Sequence, residues 1–138
     1  YLESLARLQL RSQSTGGADL RFDYRLEELI LDIDVAIPLG LIANELLTNC
    51  LKHAFVGRGS GVVEITLKRS DAEGLFLKIK DNGVGWPQGF RVEDSPSLGM
   101  KLIKILTDQL GARSEWRQGE GTDFTIFLKE GTNLPISR

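Results

Sequence analysis

Cysteine and histidine are almost missing from this sequence, and each scarcity excludes a type of site. Cys50 is the only cysteine among 138 residues, so the chain can form neither an internal disulfide nor a metal cluster of thiolates. A reducing compartment fits this composition better than an extracellular one. His53 is the only histidine, which confines any histidine chemistry of the chain to one position.

Long hydrophobic runs and an excess of one charge are also missing. No uninterrupted apolar run approaches the roughly 18 residues of a membrane-spanning helix, and no signal-peptide pattern is present. We therefore expect a cytoplasmic chain without direct membrane contact, which leaves open a cytosolic part of a membrane-bound protein. The formal net charge is −2 with acids and bases mixed, so no basic stripe is available and nucleic-acid binding is not expected.

Two common signatures of phosphate chemistry are missing as well. The sequence has no GxxxxGK[ST] segment, which excludes a P-loop, and it lacks the motif set of eukaryotic-type protein kinases. Any nucleotide site in this chain must therefore be built in another way.

The apolar pattern predicts one soluble α+β domain. Of the residues, 41% are hydrophobic and 26% are charged, which is typical of a globular protein. Period and turn signals predict helices at residues 1–11, from Pro38 to about residue 55, and from a Ser97 N-cap to Gly111. They also predict a strand at 20–26, a second short strand at 29–31, and hairpins at 62–80 and 112–129. This order predicts a two-layer sandwich, a mostly antiparallel sheet covered on one face by helices.

The helix that contains "NELLTNCLKHAF" carries a second, polar stripe beside its apolar face. Glu45, Asn49, Lys52 and His53 are spaced i, i+4, i+7 and i+8, so we expect their side chains to lie one above another. A solvated outer face is the simple interpretation, but asparagine is a weak helix former that such a face does not need. A carboxylate, an amide oxygen and a cation together suit magnesium and phosphate.

Three glycine clusters follow, and each one alone has a simpler explanation. "DNGVG" begins with Asp81 at a strand end, where it is either a hairpin turn or a carboxylate that accepts a hydrogen bond from an adenine amino group. "SLGMKL" puts Gly99 in the first turn of a helix, where free N–H groups favour phosphate. "GEGTDF" is by itself a hairpin turn.

Together, these four segments resemble the ATP-binding domain of sensor histidine kinases, in the superfamily shared with gyrase B, Hsp90 and MutL. They occur in that family's order, as its N box and its first, second and third glycine boxes. The wording "PLGLIANELLTNCLKHAF" is most similar to the branch with the second type of dimerisation domain, near the HWE group. The resemblance implies a Bergerat-type ATP-binding fold at residues 19–130. Residues 1–18 would then end a dimerisation or linker helix, and 131–138 would be a tail.

The resemblance also assigns roles to individual residues. Asn49 would be the Mg²⁺ ligand, and Glu45 would stand at the position of a general base or metal-positioning acid. The remaining ATP-binding residues would be Lys52 and His53 near the phosphates, Asp81 at the adenine amino group, Gly83 and Gly85 shaping the pocket, Gly99 and Met100 at the second glycine box, and Thr122 on the adenine side.

The function implied is transfer of the γ-phosphate of Mg-ATP to a histidine. No phosphoacceptor block is present in this sequence, so the acceptor would lie on a dimerisation domain of the same full-length protein, expected to be a homodimer. A response regulator would be the next partner. Two alternatives remain open at this point: a gyrase-like ATPase, which Glu45 favours, and an anti-sigma-like nucleotide-dependent switch or binding module.

Overall fold

The structure is a computed structural model that describes residues 19–54, 57, 59–70, 74–85, 98–119 and 121–129. The elements in these ranges are the strands β1 (Asp19–Leu26), β2 (Ser60–Ser70), β3 (Gly74–Asp81), β4 (Arg113–Gly119) and β5 (Gly121–Leu128), and the helices α1 (Ile33–Asn49) and α2 (Leu98–Gln109). A π-helical turn, Cys50–Ala54, continues α1. The helix predicted at residues 1–11 and the predicted cap at Ser97 lie outside the described residues.

The described strands form one five-stranded sheet in the order β1-β2-β3-β5-β4. The two predicted hairpins are present as the antiparallel pairs β2–β3 and β4–β5, and β3 also pairs with β5 in antiparallel fashion. β1, in contrast, pairs with β2 in parallel. With α1 and α2 packed on the sheet, the predicted α+β sandwich with a mostly antiparallel sheet is confirmed.

The strand register brings several strand ends together at one end of the sheet. Asp19, the first residue of β1, pairs with Ser60, the first residue of β2. Val63 of β2 pairs with Asp81, the last residue of β3, and β5 begins opposite that same end. The starts of β1 and β2, the end of β3 and the β4–β5 turn therefore lie at one end, called the pocket end below.

The core lies between the sheet and the two helices. Its helix residues recur at about 3.6 positions and its strand residues at every second position, as one buried face requires. The buried core side chains are Val35, Leu39, Ile42, Ala43, Leu46, Leu47, Cys50, Val63, Ile65, Leu75, Leu77, Ile79, Met100, Ile103, Leu106, Phe124, Ile126 and Leu128. Burying each large aliphatic side chain contributes roughly 1.5–3 kcal/mol to folding.

The opposite face of the sheet is partly apolar. Phe76 and Phe127 lie side by side with ring centroids 6.3 Å apart, and the Arg113 guanidinium lies 4.2 Å from the Phe127 ring centre. Lys78 and Asp123 form an ion pair of 3.4 Å on the same face. These side chains point away from the helices because they alternate with the core residues of β3 and β5.

Helix α1 begins earlier than the sequence pattern predicted. Its N-cap is Asp32, whose carboxylate accepts a hydrogen bond from the Asp34 N–H at 3.1 Å. The helix starts at Ile33, so the predicted start at Pro38 is wrong, and Pro38 lies buried inside the helix. Proline has no N–H, so one bond of the helical ladder, to the Asp34 carbonyl, is missing at this place.

Two further expectations about local structure have different outcomes. The short strand predicted at residues 29–31 is wrong, because these residues have no regular structure, although Leu29 and Leu31 still pack against the core. The predicted stop at Gly111 is correct. Gly111 has φ of +63°, which a residue with a side chain rarely adopts, and the chain turns there from α2 into β4.

The segment Ile33–His53 qualifies the expectation about membranes. It is long and apolar enough to cross a bilayer by length and composition, but 50% of the qualifying window is buried inside this domain. The core helix of a soluble domain meets the same criterion, so the segment is only weak support for a membrane span.

Candidate functional site

A pocket opens at the pocket end, between the end of α1 and the ends of β3, β4 and β5. The lining is mostly apolar, with few polar groups, as is usual for a site that binds a ring system. The lining residues are Leu46, Asn49, Cys50, His53, Ile79, Asp81, Gly85, Trp116, Thr122 and Phe124.

Asp81 is the most heavily bonded side chain of the pocket, although only 3% of its surface is exposed. One carboxylate oxygen, Oδ1, accepts from the Gly83 N–H at 2.8 Å and from the Thr122 N–H at 3.3 Å. The other, Oδ2, accepts from the Thr122 hydroxyl and from the Cys50 thiol, the latter at 3.4 Å. Four donors thus fix the carboxylate, and no cationic partner of Asp81 is found among the described residues.

The Cys50 thiol acts here as a hydrogen-bond donor. Burial raises the pKa of the Cys50 thiol well above its ordinary value, and the charge of Asp81 and the hydrogen bond to it act in the same direction. The thiol therefore stays protonated and donates to Oδ2. A thiol in this state is a poor nucleophile, since thiolate is the reactive form.

Asn49 connects the end of α1 to the start of α2. Its side-chain nitrogen donates to the sulfur of Met100 at 3.1 Å. Met100 lies in the first turn of α2, next to Gly99, so this contact joins Asn49 to the N-terminal turn of α2. In this orientation the Asn49 amide oxygen is left to accept a hydrogen bond or to bind a cation.

The polar stripe predicted on a regular helix changes at Asn49, where α1 gives way to the π-helical turn. A π-helix has more residues per turn than an α-helix, so the expected stacking of all four residues at 100° per residue does not hold beyond this point. His53 lies at the pocket wall, with much of its side chain exposed. Lys52 is exposed and Glu45 is half-buried, and neither lines the pocket.

The backbone at the mouth of the pocket is packed with little free space. Gly121 has φ of +143°, and a Cβ at this residue would lie 2.1 Å from the carbonyl oxygen of Asp81. A Cβ at Gly85 would lie 3.3 Å from the carbonyl oxygen of Gly121. Asn82 holds the adjoining strand, since its side-chain oxygen accepts from the Val62 N–H at 2.8 Å. These contacts fix the position of Asp81.

Most of the residues predicted for the site are close to one another in the structure. Five of them line the pocket: Asn49, His53, Asp81, Gly85 and Thr122. Gly83 and Met100 do not line it but form hydrogen bonds to residues that do. Gly99 is the neighbour of Met100, whereas Glu45 and Lys52 lie farther along α1 and the π-helical turn, outside the pocket lining.

Sequence reasoning missed half of the pocket lining. Leu46 and Cys50 were assigned to the core face of α1, which is correct, but this face also reaches the pocket. Ile79, Trp116 and Phe124 come from three adjacent strands. Their alternation predicted only the two hairpins, and the strand order was needed to bring these three side chains together.

The sequence profile of the family described as "Histidine kinase-, DNA gyrase B-, and HSP90-like ATPase" matches residues 34–132. Blue-light-activated histidine kinase 2 of Erythrobacter litoralis is 31% identical over 124 residues, which are 89% of this chain and 34% of that protein. The sensor histidine kinase PdtaS of Mycobacterium tuberculosis is 35% identical over 108 residues, 74% of this chain and 21% of that protein.

A solved structure of a histidine kinase domain is also similar to this chain. The histidine kinase domain of a blue-light-activated histidine kinase from Erythrobacter litoralis superimposes with a TM-score of 0.87 at 27% identity, covering 96% of this chain and 65% of that one. The chain thus spans about a third or less of the two curated relatives. The profile match, these relatives and the shared fold establish that the chain belongs to the family of histidine kinase-, DNA gyrase B- and HSP90-like ATPases.

Proposed function

We propose that this chain binds Mg-ATP and donates the γ-phosphate to a histidine on a dimerisation domain outside it, as the catalytic part of a two-component sensor histidine kinase. The observation that supports this most directly is the buried Asp81 carboxylate, held by four donors at the wall of a largely apolar pocket. The relatives named as histidine kinases favour this reaction over others of the family. We take residues 19–130 as the ATP-binding unit.

The base of ATP would bind at the Asp81 side of the pocket. Its amino group is a donor, and Asp81 is the buried acceptor to which it can bond. Because Oδ2 already accepts from the Thr122 hydroxyl and from Cys50, the amino group would share that oxygen or take the place of the hydroxyl. Leu46, Ile79 and Phe124 offer the apolar surface that the ring needs.

The phosphates would lie toward Asn49 and the first turn of α2. The helix N-terminus has unpaired N–H groups and the positive end of the helix dipole, both of which favour anions. Gly99 and Met100 are in that turn, and no acidic residue is found there to oppose a phosphate. Lys52 and His53, both exposed, follow Asn49 in the π-helical turn and would be available to the phosphates.

The residues near Asn49 fit a magnesium ion that is held partly by the nucleotide. In the described part of the chain, no group of three or more His, Cys, Asp and Glu side chains could hold a metal by itself. The Asn49 amide oxygen, with Glu45 one turn earlier, is a small set of oxygen ligands, and magnesium normally adds phosphate oxygens and waters to such a set. When bound, magnesium would neutralise charge on the β- and γ-phosphoryl oxygens.

The protein would contribute to phosphoryl transfer by positioning the nucleotide and by stabilising the charge of its phosphates. Asp81 and the apolar wall fix the base, and the α2 N-terminus and Lys52 fix the phosphates, so the γ-phosphoryl group is presented in one orientation. His53 would flank the phosphates instead of approaching the phosphorus in line. The acceptor histidine would therefore come from the dimerisation domain of the same full-length protein, a homodimer, and a response regulator would receive the phosphoryl group. We expect this catalytic part to be cytoplasmic.

A gyrase-like ATPase is the second candidate. It is favoured by Glu45, a half-buried carboxylate one helical turn before Asn49. In that reaction Glu45 would activate a water, and the isolated chain would release phosphate steadily without a partner. A nucleotide-dependent switch of the anti-sigma type would bind ATP but transfer nothing.

One labelling experiment distinguishes the three functions. The chain is incubated with γ-labelled ATP and magnesium, alone and with the fragment of its full-length protein that carries the acceptor histidine. We expect acid-labile label on the acceptor fragment and none on this chain. Acid-labile label on the isolated chain that is lost in His53→Gln, with ATP binding retained, would contradict the proposal. Steady phosphate release by the chain alone would favour the ATPase, and ATP binding without any turnover would favour the switch.

Asn49→Asp tests the magnesium assignment. Without metal, the new carboxylate repels the triphosphate, whereas with magnesium it is itself a good ligand. We therefore expect the ratio of the Kd for free ATP to the Kd for Mg-ATP to rise by about tenfold, with the fold retained. Calorimetric titrations with and without magnesium measure this ratio.

Asn44→Asp is the matched control for Asn49→Asp. Asn44 is a half-buried residue of the same helix that does not line the pocket, so the same added charge should leave the ratio unchanged. A wild-type ratio in Asn49→Asp, or unfolding of that variant, would show that Asn49 has a structural role instead.

A further inference from the structure

Trp116 is an unusual residue for its strand. β4 reads RSEWRQG and lies at the edge of the sheet, and Trp116 is its one large apolar side chain. Edge strands are commonly protected by charged residues, which Arg113, Glu115 and Arg117 provide on the other face. The position of Trp116 therefore requires an explanation in terms of what it packs against.

Trp116 completes a row of side chains that crosses three strands. Ile79 of β3 pairs with Phe124 of β5, and Phe124 pairs with Trp116 of β4. All three line the pocket. The Trp116 and Phe124 rings meet edge to face, with centroids 4.4 Å apart and an angle of 60°. The row is thus the floor of the pocket on the sheet side, and Trp116 is its outer end.

The floor lies next to Asp81 and Thr122, the side chains that would recognise the base. Asp81 follows Ile79 by two residues on β3, and Thr122 precedes Phe124 by two residues on β5, so all four point to the same side of the sheet. The apolar row therefore faces the same pocket as the polar side chains of Asp81 and Thr122. A base bonded to Asp81 would have the indole of Trp116 at its side.

We propose that Trp116 is a specificity-determining residue that closes the outer side of the base pocket and limits it to adenine without bulky substituents at N6 or C2. The inference rests on the proposed function, namely that this pocket binds ATP. The size of the indole sets the width of the pocket, while Asp81 sets the hydrogen bonding. A smaller side chain at this position opens space at the edge strand, since none of the described strands lies beyond β4.

Selectivity between ATP and bulkier analogues tests this role. The variants are Trp116→Val and Trp116→Phe, and the probes are Mg-ATP and two Mg-ATP analogues that carry a benzyl group at N6 or a phenylethyl group at C2. We expect Trp116→Val to bind ATP about tenfold more weakly, since an aromatic contact is lost. In Trp116→Val, the ratio of the Kd of at least one analogue to the Kd of ATP should fall about tenfold or more below the wild-type ratio. Trp116→Phe should give an intermediate ratio.

Phe127→Val is the matched control. Phe127 is a half-buried aromatic residue on β5 whose side chain lies on the opposite face of the sheet, so its loss tests general destabilisation without touching the pocket. The analogue ratio should stay at the wild-type value in this variant. An unchanged ratio in both Trp116 variants would overturn the proposal, because a residue that only stabilises the core does not alter selectivity.

A fluorescence measurement covers the case in which Trp116→Val fails to fold. In a Trp86→Phe background, Trp116 is the only tryptophan, and Mg-ATP should change its emission. Unchanged emission at saturating Mg-ATP, with wild-type selectivity in Trp116→Phe, would overturn the proposal. If the wild-type chain binds no ATP, the proposed function itself fails. If ATP binds while selectivity and emission do not respond, only the inference about Trp116 fails.

Discussion

Gly121→Ala is expected to destabilise the domain by about 2–5 kcal/mol, the largest effect we predict for a single methyl group. A Cβ at Gly121 would lie 2.1 Å from the carbonyl oxygen of Asp81, 2.9 Å from its carbonyl carbon and 3.0 Å from the Asn82 Cα. These are backbone atoms, which cannot rotate away as the end of a side chain can. The φ of +143° adds strain, because a residue with a Cβ rarely adopts it.

Gly119→Ala is the control for this prediction. Gly119 pairs with Gly121 at the β4–β5 turn, but a Cβ there would meet nothing within 4 Å. Its substitution should change the free energy of unfolding by less than about 0.5 kcal/mol, as is usual for an exposed site. Urea unfolding of both variants gives the comparison. Equal midpoints for Gly121→Ala and the wild type would mean that β5 and the end of β3 are not packed as described.

Asp81→Asn is expected to weaken ATP binding by about ten- to a hundredfold, as the loss of a charged hydrogen bond costs roughly 1.5–3 kcal/mol. The structure adds a second effect. Four donors already converge on this carboxylate, so an amide nitrogen would place a donor against donors from Gly83, Thr122 or Cys50. We therefore expect the free energy of unfolding to fall as well, by about 1–3 kcal/mol.

Two measurements separate the effects of Asp81→Asn on binding and on stability. Calorimetry below the unfolding transition gives the ATP affinity of the folded fraction, and urea unfolding gives the stability. Asp123→Asn is the control, because this carboxylate lies on the opposite face of the sheet, paired with Lys78. It should leave the ATP affinity within about twofold of the wild type. Wild-type affinity in Asp81→Asn would exclude Asp81 from base recognition.

The sequence predicted the helices and strands of this fold better than it predicted which strands pair with one another. Alternation at residues 62–80 and 112–129 was sufficient for the hairpins, because a short turn leaves adjacent strands little choice but to pair. The strand at 20–26 was also recognisable, but nothing in its own pattern indicates that it pairs in parallel with β2 across an intervening helix. The predicted start of α1 was wrong because proline also occurs inside this helix, which is capped at Asp32, more than one turn before Pro38.

The candidate site could be predicted where it depends on local chemistry. Short segments were enough to identify an acid at a strand end, two asparagines in a helix, and glycines at helix and strand ends. The donors to Asp81 from Cys50 and Thr122 were not, since they come from residues 31 and 41 positions away along the chain. Trp116 was missed for the same reason. Its role depends on the order β3-β5-β4, which only the assembled sheet reveals.

The parallel pairing of β1 has a mechanical consequence for the pocket end of the sheet. Because β1 runs parallel to β2, its first residue, Asp19, lies at the pocket end of the sheet, with β2 between β1 and β3. Arg21 pairs with Val62, and Val62 exchanges hydrogen bonds with Asn82, the residue after Asp81. A tension applied at Asp19 would thus reach Asp81 across β2 and the two hydrogen bonds between Val62 and Asn82, without passing along the length of the sheet.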